Sequence, residues 1–266
     1  MADSDKVMAI CMMKDEGDVA YELIRHLRCE DFNGIIVYEN MSTDNTLSEL
    51  QRANNDFGGV RIIEDTEVGY YQSKKMTRLA REAAMSGATW VVPVDADEIW
   101  FDHNERIAVK LRSLDSSVNV VNATIVNHFT TGLDGESGNP FVDMTYRHWE
   151  VGRLPKVCFR FHNDVYVHQG NHGVDIPNRC EAGFRFEIRH FPYRSYEHFR
   201  TKAINGAKAY AQTDFDPSVG AHWREYGMLY ERHGDAALQE VYLTWFHFRA
   251  PVTAGMIYDP APFARW

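Results

Sequence analysis

Asp95, Asp97 and Glu98 place three carboxylates within four positions, directly after the apolar run Trp90-Val91-Val92-Pro93-Val94. Acids this close repel one another unless a cation or a basic partner compensates them. With the small Ala96 between them, Asp95 and Asp97 are spaced so that one carboxylate can meet a hard divalent cation while the other meets a sugar hydroxyl or a second metal. Mg2+ and Mn2+ favour such oxygen ligands and usually share their shell with substrate phosphates. A bare D-x-D pair is short and common, and its ordinary reading is a solvated acidic turn. Here the apolar run before it and Ile99-Trp100-Phe101 after it favour an enclosed site.

The elements that must position these acids follow from the apolar pattern. Trp90 to Val94 reads as a central strand covered on both faces, with Gly87 stopping the helix before it. Upstream, Lys6 to Met13 reads as a first buried strand, Gly34 to Tyr38 as a second and Val60 to Ile63 as a third. Between them lie helical spacings: Val19, Leu23, Ile24 and Leu27, with Asp18 as a candidate N-cap; a helix carrying Leu47 and Leu50; and a long helix over 70–86. Strand and helix alternate four times in the first hundred residues, which predicts an α/β fold with a parallel sheet and helices on both faces. The polar clusters 14–16, 40–44, 64–65 and 95–98 then share one rim at the carboxyl ends of the strands, where open α/β sheets bind ligands. No glycine-rich phosphate cradle of the G-x-G-x-x-G or G-x-x-x-x-G-K type is present, so a nucleotide here must be held by side chains and a metal.

Three stretches of this half resemble GT-A-fold glycosyltransferases of family 2, in particular the branch called glycosyl transferase family 2, type 4. Glu39-Asn40-Met41-Ser42-Thr43-Asp44-Asn45-Thr46 resembles that family's D-x-S-x-D-x-T turn, with Glu39-Asn40 where many relatives carry Asp-Asp or Asp-Asn. Gln72 to Ala80 resembles a donor-facing helix start, and Asp95-Ala96-Asp97-Glu98 the D-x-D metal motif. Further on, Ile188 to Lys202 resembles the H-Y-x-x-R-S-x-x-x-F-x-x-K element of the same branch. The resemblance implies a Mn2+ or Mg2+ ion held by Asp95, Asp97 and His190. It implies a nucleoside-diphosphate sugar, UDP-linked by preference, on Met13, Glu16, Asn40, Ser42, Asp44, Asp65, Gln72, Lys75, Arg78, Asp95 and Ala96. Arg194 and Lys202 would neutralise the leaving diphosphate. The stretch Gly170 to Asp175 resembles a loop on the acceptor side and supplies His172 and Asp175 as candidates for the general base. Plainer roles exist for several of these residues: helix capping for Ser42 and Asp44, and a solvated helix face for Gln72, Lys75 and Arg78.

Beyond Trp100 the pattern is looser. A helix is expected over 104–111 and strands over 118–129, 141–149, 156–162 and 165–168, with a turn-rich mobile loop at 131–140. Ser195 is positioned to cap a helix running to Gln212, and two amphipathic helices follow over 223–232 and 236–248. Their aromatic residues, Trp223, Tyr230, Tyr242, Trp245 and Phe248, read as core or as a homo-oligomer contact rather than as a sugar platform. The tail 250–266 carries three prolines and is read either as packing across the site or as disordered.

Composition sets the outer limits. A chain of 266 residues, 44% hydrophobic and 25% charged, can bury one large core. Its net charge of -10 argues against a nucleic-acid groove or an anionic membrane surface as the main partner. Cys11, Cys29, Cys158 and Cys180 form no C-x-x-C pair, so a reducing, cytoplasmic setting is expected, with no spanning segment and no signal sequence. The expectation is therefore a mixed, mostly parallel α/β sheet in a GT-A domain over 1–194, followed by a helical extension over 195–266. Its activity would be metal-dependent sugar transfer to the hydroxyl of a glycan, protein or small molecule. Two alternatives stand beside it. A sugar-phosphate nucleotidyltransferase would normally carry a glycine- and basic-rich loop where Met12 to Glu16 stands. A catalytically silent nucleotide- or sugar-binding module would have little reason to keep both acids and the His190 element.

Overall fold

The structure, a computed structural model, describes residues 5–260. Its first half alternates as the apolar pattern dictates: β1 (Val7–Met13), α1 (Ala20–Cys29), β2 (Gly34–Glu39), α2 (Thr46–Phe57), β3 (Val60–Glu64), α3 (Gln72–Met85) and β4 (Trp90–Asp95). The four strands pair in parallel in the order β4-β1-β2-β3. Their side chains alternate between two buried layers, as period two requires. Ala9, Cys11, Val37 and Val92 face α1 and α2 through Leu23, Ile24, Leu27 and Leu50. Met8, Ile10, Ile36 and Val91 face α3 through Met76, Leu79 and Ala83. Parallel strands of this kind end on one edge, so the loops after β1, β2 and β4 converge there.

The second half extends the sheet in mixed directions. β5 (Glu98–Phe101) follows β4 after a two-residue turn. Then come α4 (Ile107–Arg112), β6 (Val120–His128), β7 (Thr130–Thr131), α5 (Pro140–Asp143), β8 (Tyr146–Val151) and β9 (Lys156–Arg160). After them lie β10 (Tyr166–Val167), β11 (Val174–Asp175) and the long β12 (Glu181–His190). β9 runs antiparallel between β4 and β6. β12 pairs in parallel with β6 and antiparallel with β5, in a register that sets His190 opposite Glu98. That register brings a residue far along the chain to the acidic turn.

The final elements form a smaller core of their own. Ser195 caps α6 (Tyr196–Ala211), its Oγ accepting from the His198 backbone N–H at 3.0 Å. α6 packs with α7 (Ala221–His233) and α8 (Asp235–Trp245) around Phe199, Ala203, Leu238 and Tyr242. The chain returns to the main body through β13 (His247–Phe248), parallel to β7, and β14 (Ile257–Tyr258), antiparallel to β8. Among the described residues no helix is long and apolar enough to cross a membrane.

Several local expectations shift. Residues 141–149 do not form one strand: Pro140 sits in the first turn of α5, the Asn139 side chain accepts from the Phe141 N–H, and β8 starts only at Tyr146. The helix over 236–248 stops at Trp245, and its last residues become β13. Asp18 does not cap α1; the capping position is Val19, and Asp18 instead pairs with Arg194. Loop 131–140 is tied down by Asp143, whose carboxylate accepts from the Ser137 and Gly138 N–H groups. The tail beyond Pro260 lies outside the described residues.

His128, at the end of β6, is fully buried and stacks on Phe191 with ring centroids 4.6 Å apart. Burial pushes its imidazole down to about 4, against the Met144 carbonyl and the Asp259 carboxylate, which pull the other way. The unfolded chain takes up this proton near 6.5, so stability is full above that pH and is lost as pH falls from there towards 4. Linkage sets this residue's share of the loss at about 2 kcal/mol by pH 5. Urea unfolding at pH 7.5 and pH 5.0 should therefore show a stability drop that is smaller by about 2 kcal/mol in His128→Gln. His172, His198 and His222, which burial shifts in the same direction, add to the drop.

Candidate active site

The β4–β5 turn is built so that its acids point different ways. Glu98 folds back, its Oε2 accepting from the Asp95 N–H at 3.3 Å. Asp95 leans towards α3 and β9: its Oδ1 accepts from Gln72 Nε2 at 3.2 Å and Asn171 Nδ2 at 2.9 Å, while its Oδ2 pairs with Lys156. Lys156 Nζ also lies 2.9 Å from Glu98 Oε1. Glu98 is 1% exposed, and its burial raises the carboxyl while Lys156 opposes the shift. Burial alone would lower the Lys156 ammonium, but Asp95 and Glu98 together raise it.

Asp97 takes the other direction, into a cleft of about 270 Å³ across the strand ends. Its Oδ2 lies 2.5 Å from Lys202 Nζ and 3.5 Å from His190 Nε2. Burial would raise this carboxyl; Lys202 first, and then His190, hold it well below the usual carboxylate range. On the other ring nitrogen, His190 Nδ1 donates to Asn127 Oδ1 at 2.7 Å. That bond orients the ring so that Nε2 faces Asp97, the orientation a metal-binding imidazole needs. No group of three or more His, Cys, Asp or Glu side chains able to hold a metal occurs among the described residues. Asp97 and His190 therefore form a two-donor set, which fits a hard cation that takes the rest of its shell from substrate phosphates and water.

The loop after β1 closes one side. Lys14 Nζ donates to the Asn40 and Met41 carbonyls at 2.8 and 3.0 Å. Asp15 accepts from the Thr43 N–H at 2.6 Å and from Asn205 Nδ2 on α6 at 2.8 Å. Glu16 is buried against Arg194 at 2.5 Å, with Lys202 at 3.4 Å. Its burial is outweighed by Lys202 and Arg194, which hold its carboxyl far below the usual range.

The residues singled out in the sequence separate into groups. Met13, Glu16, Asn40, Gln72, Lys75, Asp95, Ala96, Asp97, His190 and Lys202 all line the cleft. Ser42, Asp44 and Asp65 do not. Ser42 accepts from the Asp15 N–H, and Asp44 accepts from the Thr46 N–H at 2.9 Å, although the capping position of α2 is Asn45 rather than either of them. Asp65 pairs with Lys75 at 2.6 Å, just behind the cleft wall. Arg78 is exposed on α3 and does not line the cleft. Arg194 is buried away from the cleft, its guanidinium taken by Glu16 and Asp18. His172 Nδ1 donates to the Pro155 carbonyl, and Asp175 is exposed and bonded to His168; neither lines the cleft. Asp95, grouped with the metal ligands in the sequence, has both oxygens committed to Lys156, Gln72 and Asn171, so the donors facing the cleft together are Asp97 and His190.

Sequence reasoning assigned no role to Lys156, Asn171 or Asn127. Lys156 had one signal, a lysine opening an otherwise apolar strand. Asn171 holds a positive φ of 57° in the turn between β10 and β11, a conformation asparagine tolerates; it stands in the 170–175 stretch assigned to the acceptor side, but its bond to Asp95 was not foreseen. Asn127 interrupts the apolar side of β6.

No family model matches this chain, and no curated protein matches it either. Solved structures do share its trace. One is TarS 1-349 of S. aureus, at 13% identity over 86% of this chain and 72% of that one, with a TM-score of 0.44. Another is the mannosyltransferase PcManGT from Pyrobaculum calidifontis in complex with GDP-Man and Mn2+, at 17% identity over 95% and 79%, with a TM-score of 0.45. A third, glucosyl-3-phosphoglycerate synthase from Mycobacterium tuberculosis, is similar over 46% of this chain and 44% of its own, at 16% identity and a TM-score of 0.32.

Lys156 gives a direct test of the charge arrangement. Replacing it by methionine leaves Asp95 and buried Glu98 without their ammonium, and breaking a buried pair from one side costs about 3–5 kcal/mol. Urea unfolding of Lys156→Met at pH 7.5 should show a loss of that order, with most of it recovered in Lys156→Met/Glu98→Gln. A single variant as stable as the parent would show that the pair does not compensate these acids.

Proposed function

We propose that the chain is a metal-dependent glycosyltransferase of the GT-A type, moving a sugar from a nucleoside-diphosphate sugar to an acceptor hydroxyl. The observation that carries this reading is the pair Asp97 Oδ2 and His190 Nε2, 3.5 Å apart in a cleft over the carboxyl ends of parallel strands. A bound Mn2+ or Mg2+ would supply Lewis-acid stabilisation of the departing diphosphate. The chain's own residues do the rest. Asn40 and Lys75, at the β2 and α3 edge, take the nucleoside end. Lys202, reaching in from α6, supplies a positive charge beside the diphosphate. Gln72 and Asn171 hold Asp95 still, which leaves it oriented along the sugar end of the cleft.

Charge supports the same reading. The rim holds four carboxylates, Glu16, Asp95, Asp97 and Glu98, against three fixed cations, Lys156, Arg194 and Lys202. It therefore carries one excess negative charge, and a dication would turn that excess into the positive field a diphosphate requires. Residues 1–194 would make up the catalytic domain, with 195–266 as a helical extension whose α6 delivers Lys202.

Calorimetry with UDP and GDP, each with MnCl2 or with EDTA, tests the proposal. Binding should depend on Mn2+, with UDP preferred. His190→Ala should weaken it roughly 10–100-fold, and Asp97→Asn at least as much, as removal of metal-site groups does. His190→Ala should leave the melting temperature in place, since its ring is partly exposed and its loss empties no core. Equal affinity in EDTA would reject the metal. It would favour a second reading, motivated by the 2.5 Å Lys202–Asp97 pair, in which the ammonium alone provides the counter-charge.

A further inference from the structure

A second cleft, of about 640 Å³, lies on the other side of His190. Asn127 joins the two: it lines the second cleft, and its Oδ1 accepts from Nδ1 of His190, which lines the first. The floor of the second cleft is aromatic. Phe129 sits at its centre with Phe246 and Phe248 each 5.9 Å away, centroid to centroid, and Tyr226 and Trp245 complete it. Trp245 is 66% exposed, so its indole face is presented to solvent rather than spent on the core.

The lip is polar. Glu150 and Arg153 line it, both exposed, and among the described residues neither makes an ion pair, whereas Glu16, Asp95 and Asp97 of the first cleft are each paired with a lysine or arginine. A hydrophobic floor with uncommitted hydrogen-bonding groups at its edge suits a ligand with an apolar face and a ring of hydroxyls. A pyranose has this shape: its axial C–H face lies on an aromatic ring, while its equatorial hydroxyls reach outward to a carboxylate and a guanidinium. A lipid would leave Glu150 and Arg153 unused. A polyanion would meet a chain of net charge -10.

We propose that this second cleft is the acceptor subsite and that the acceptor is a neutral glycan, stacked on Trp245 and the Phe129 floor and held at its hydroxyls by Glu150 and Arg153. The inference rests on reading the first cleft as the donor site, because Asn127 and His190 then mark the boundary at which donor and acceptor meet. It also changes the role of Trp245 and Phe248, whose sequence context pointed to core or to an oligomer contact.

The test uses the labelled, intact chain on an array of immobilised neutral and acidic oligosaccharides, followed by saturation-transfer NMR with the best neutral binder in solution. Binding to neutral glycans should be weakened roughly tenfold in Trp245→Ala, the scale of one lost aromatic contact, and also weakened in Glu150→Gln. UDP affinity with Mn2+ should be unchanged in both variants. Neither residue is buried, so the fold is not at risk. Absence of neutral-glycan binding, binding indifferent to both substitutions, or preference for acidic glycans would each overturn the proposal. So would sedimentation showing a dimer that Trp245→Ala dissociates, because the cleft would then be covered by a second copy. Glycan binding that survives while UDP binding fails would uphold the subsite and remove the donor reading instead.

Discussion

Everything in the cleft depends on holding several carboxylates together at the ends of parallel strands without letting them repel. The sheet brings Glu16, after β1, and Asp95, Asp97 and Glu98, after β4, onto one edge because β1 and β4 are hydrogen-bonded neighbours. Geometry of this kind concentrates negative charge as a by-product of topology. The solution is an opposing set of cations drawn from three separate later elements: Lys156 on β9, Arg194 before α6 and Lys202 within it. Lys156 and Arg194 are buried and Lys202 is partly so, and a buried pair broken from one side is far more costly than an exposed one. The pairs therefore act as registration points as much as sources of stability. They fix where β9 lies against β4 and where α6 lies against the loop after β1.

This explains why the two directions taken by Asp95 and Asp97 matter. Asp95 is saturated by Lys156, Gln72 and Asn171, and acts as a rigid post. Asp97 has one ammonium and one imidazole near it, and that imidazole is oriented from behind by Asn127. Two acids two residues apart thus acquire different chemistry from their surroundings alone, in the way that neighbouring carboxylates in many sites are separated in role by burial and charge.

Much of the fold was legible in the sequence. The four strand–helix repeats were visible because parallel strands are apolar throughout and their crossover helices are strongly periodic. The acidic rim was visible because strand ends in such sheets coincide. His190 was reached through a resemblance of its surrounding element, and the β12–β5 register accounts for its position beside Asp97 in physical terms. What was not legible was pairing across long separations. Arg194 looked like a diphosphate ligand because its type suits one, yet Glu16 and Asp18, far earlier in the chain, had already claimed it. Lys156 gave only a faint signal, a lysine opening an apolar strand, since a residue that serves a distant partner need not disturb the periodicity of its own element. The breakdown of the 141–149 strand was a matter of turn chemistry at Asn139-Pro140 that the apolar pattern overrode.

The order of charges along the chain carries a consequence for assembly. All four rim acids precede all three compensating cations in sequence. A ribosome releasing this protein from its amino end exposes the complete parallel core, with its acids, before Lys156 has been made, and Lys202 comes last of the three. The nascent half can collapse on its apolar layers, but its edge stays mutually repulsive until α6 docks. Completion of the cleft thereby waits on the docking of α6, the step that turns a charged, half-finished sheet into a settled one.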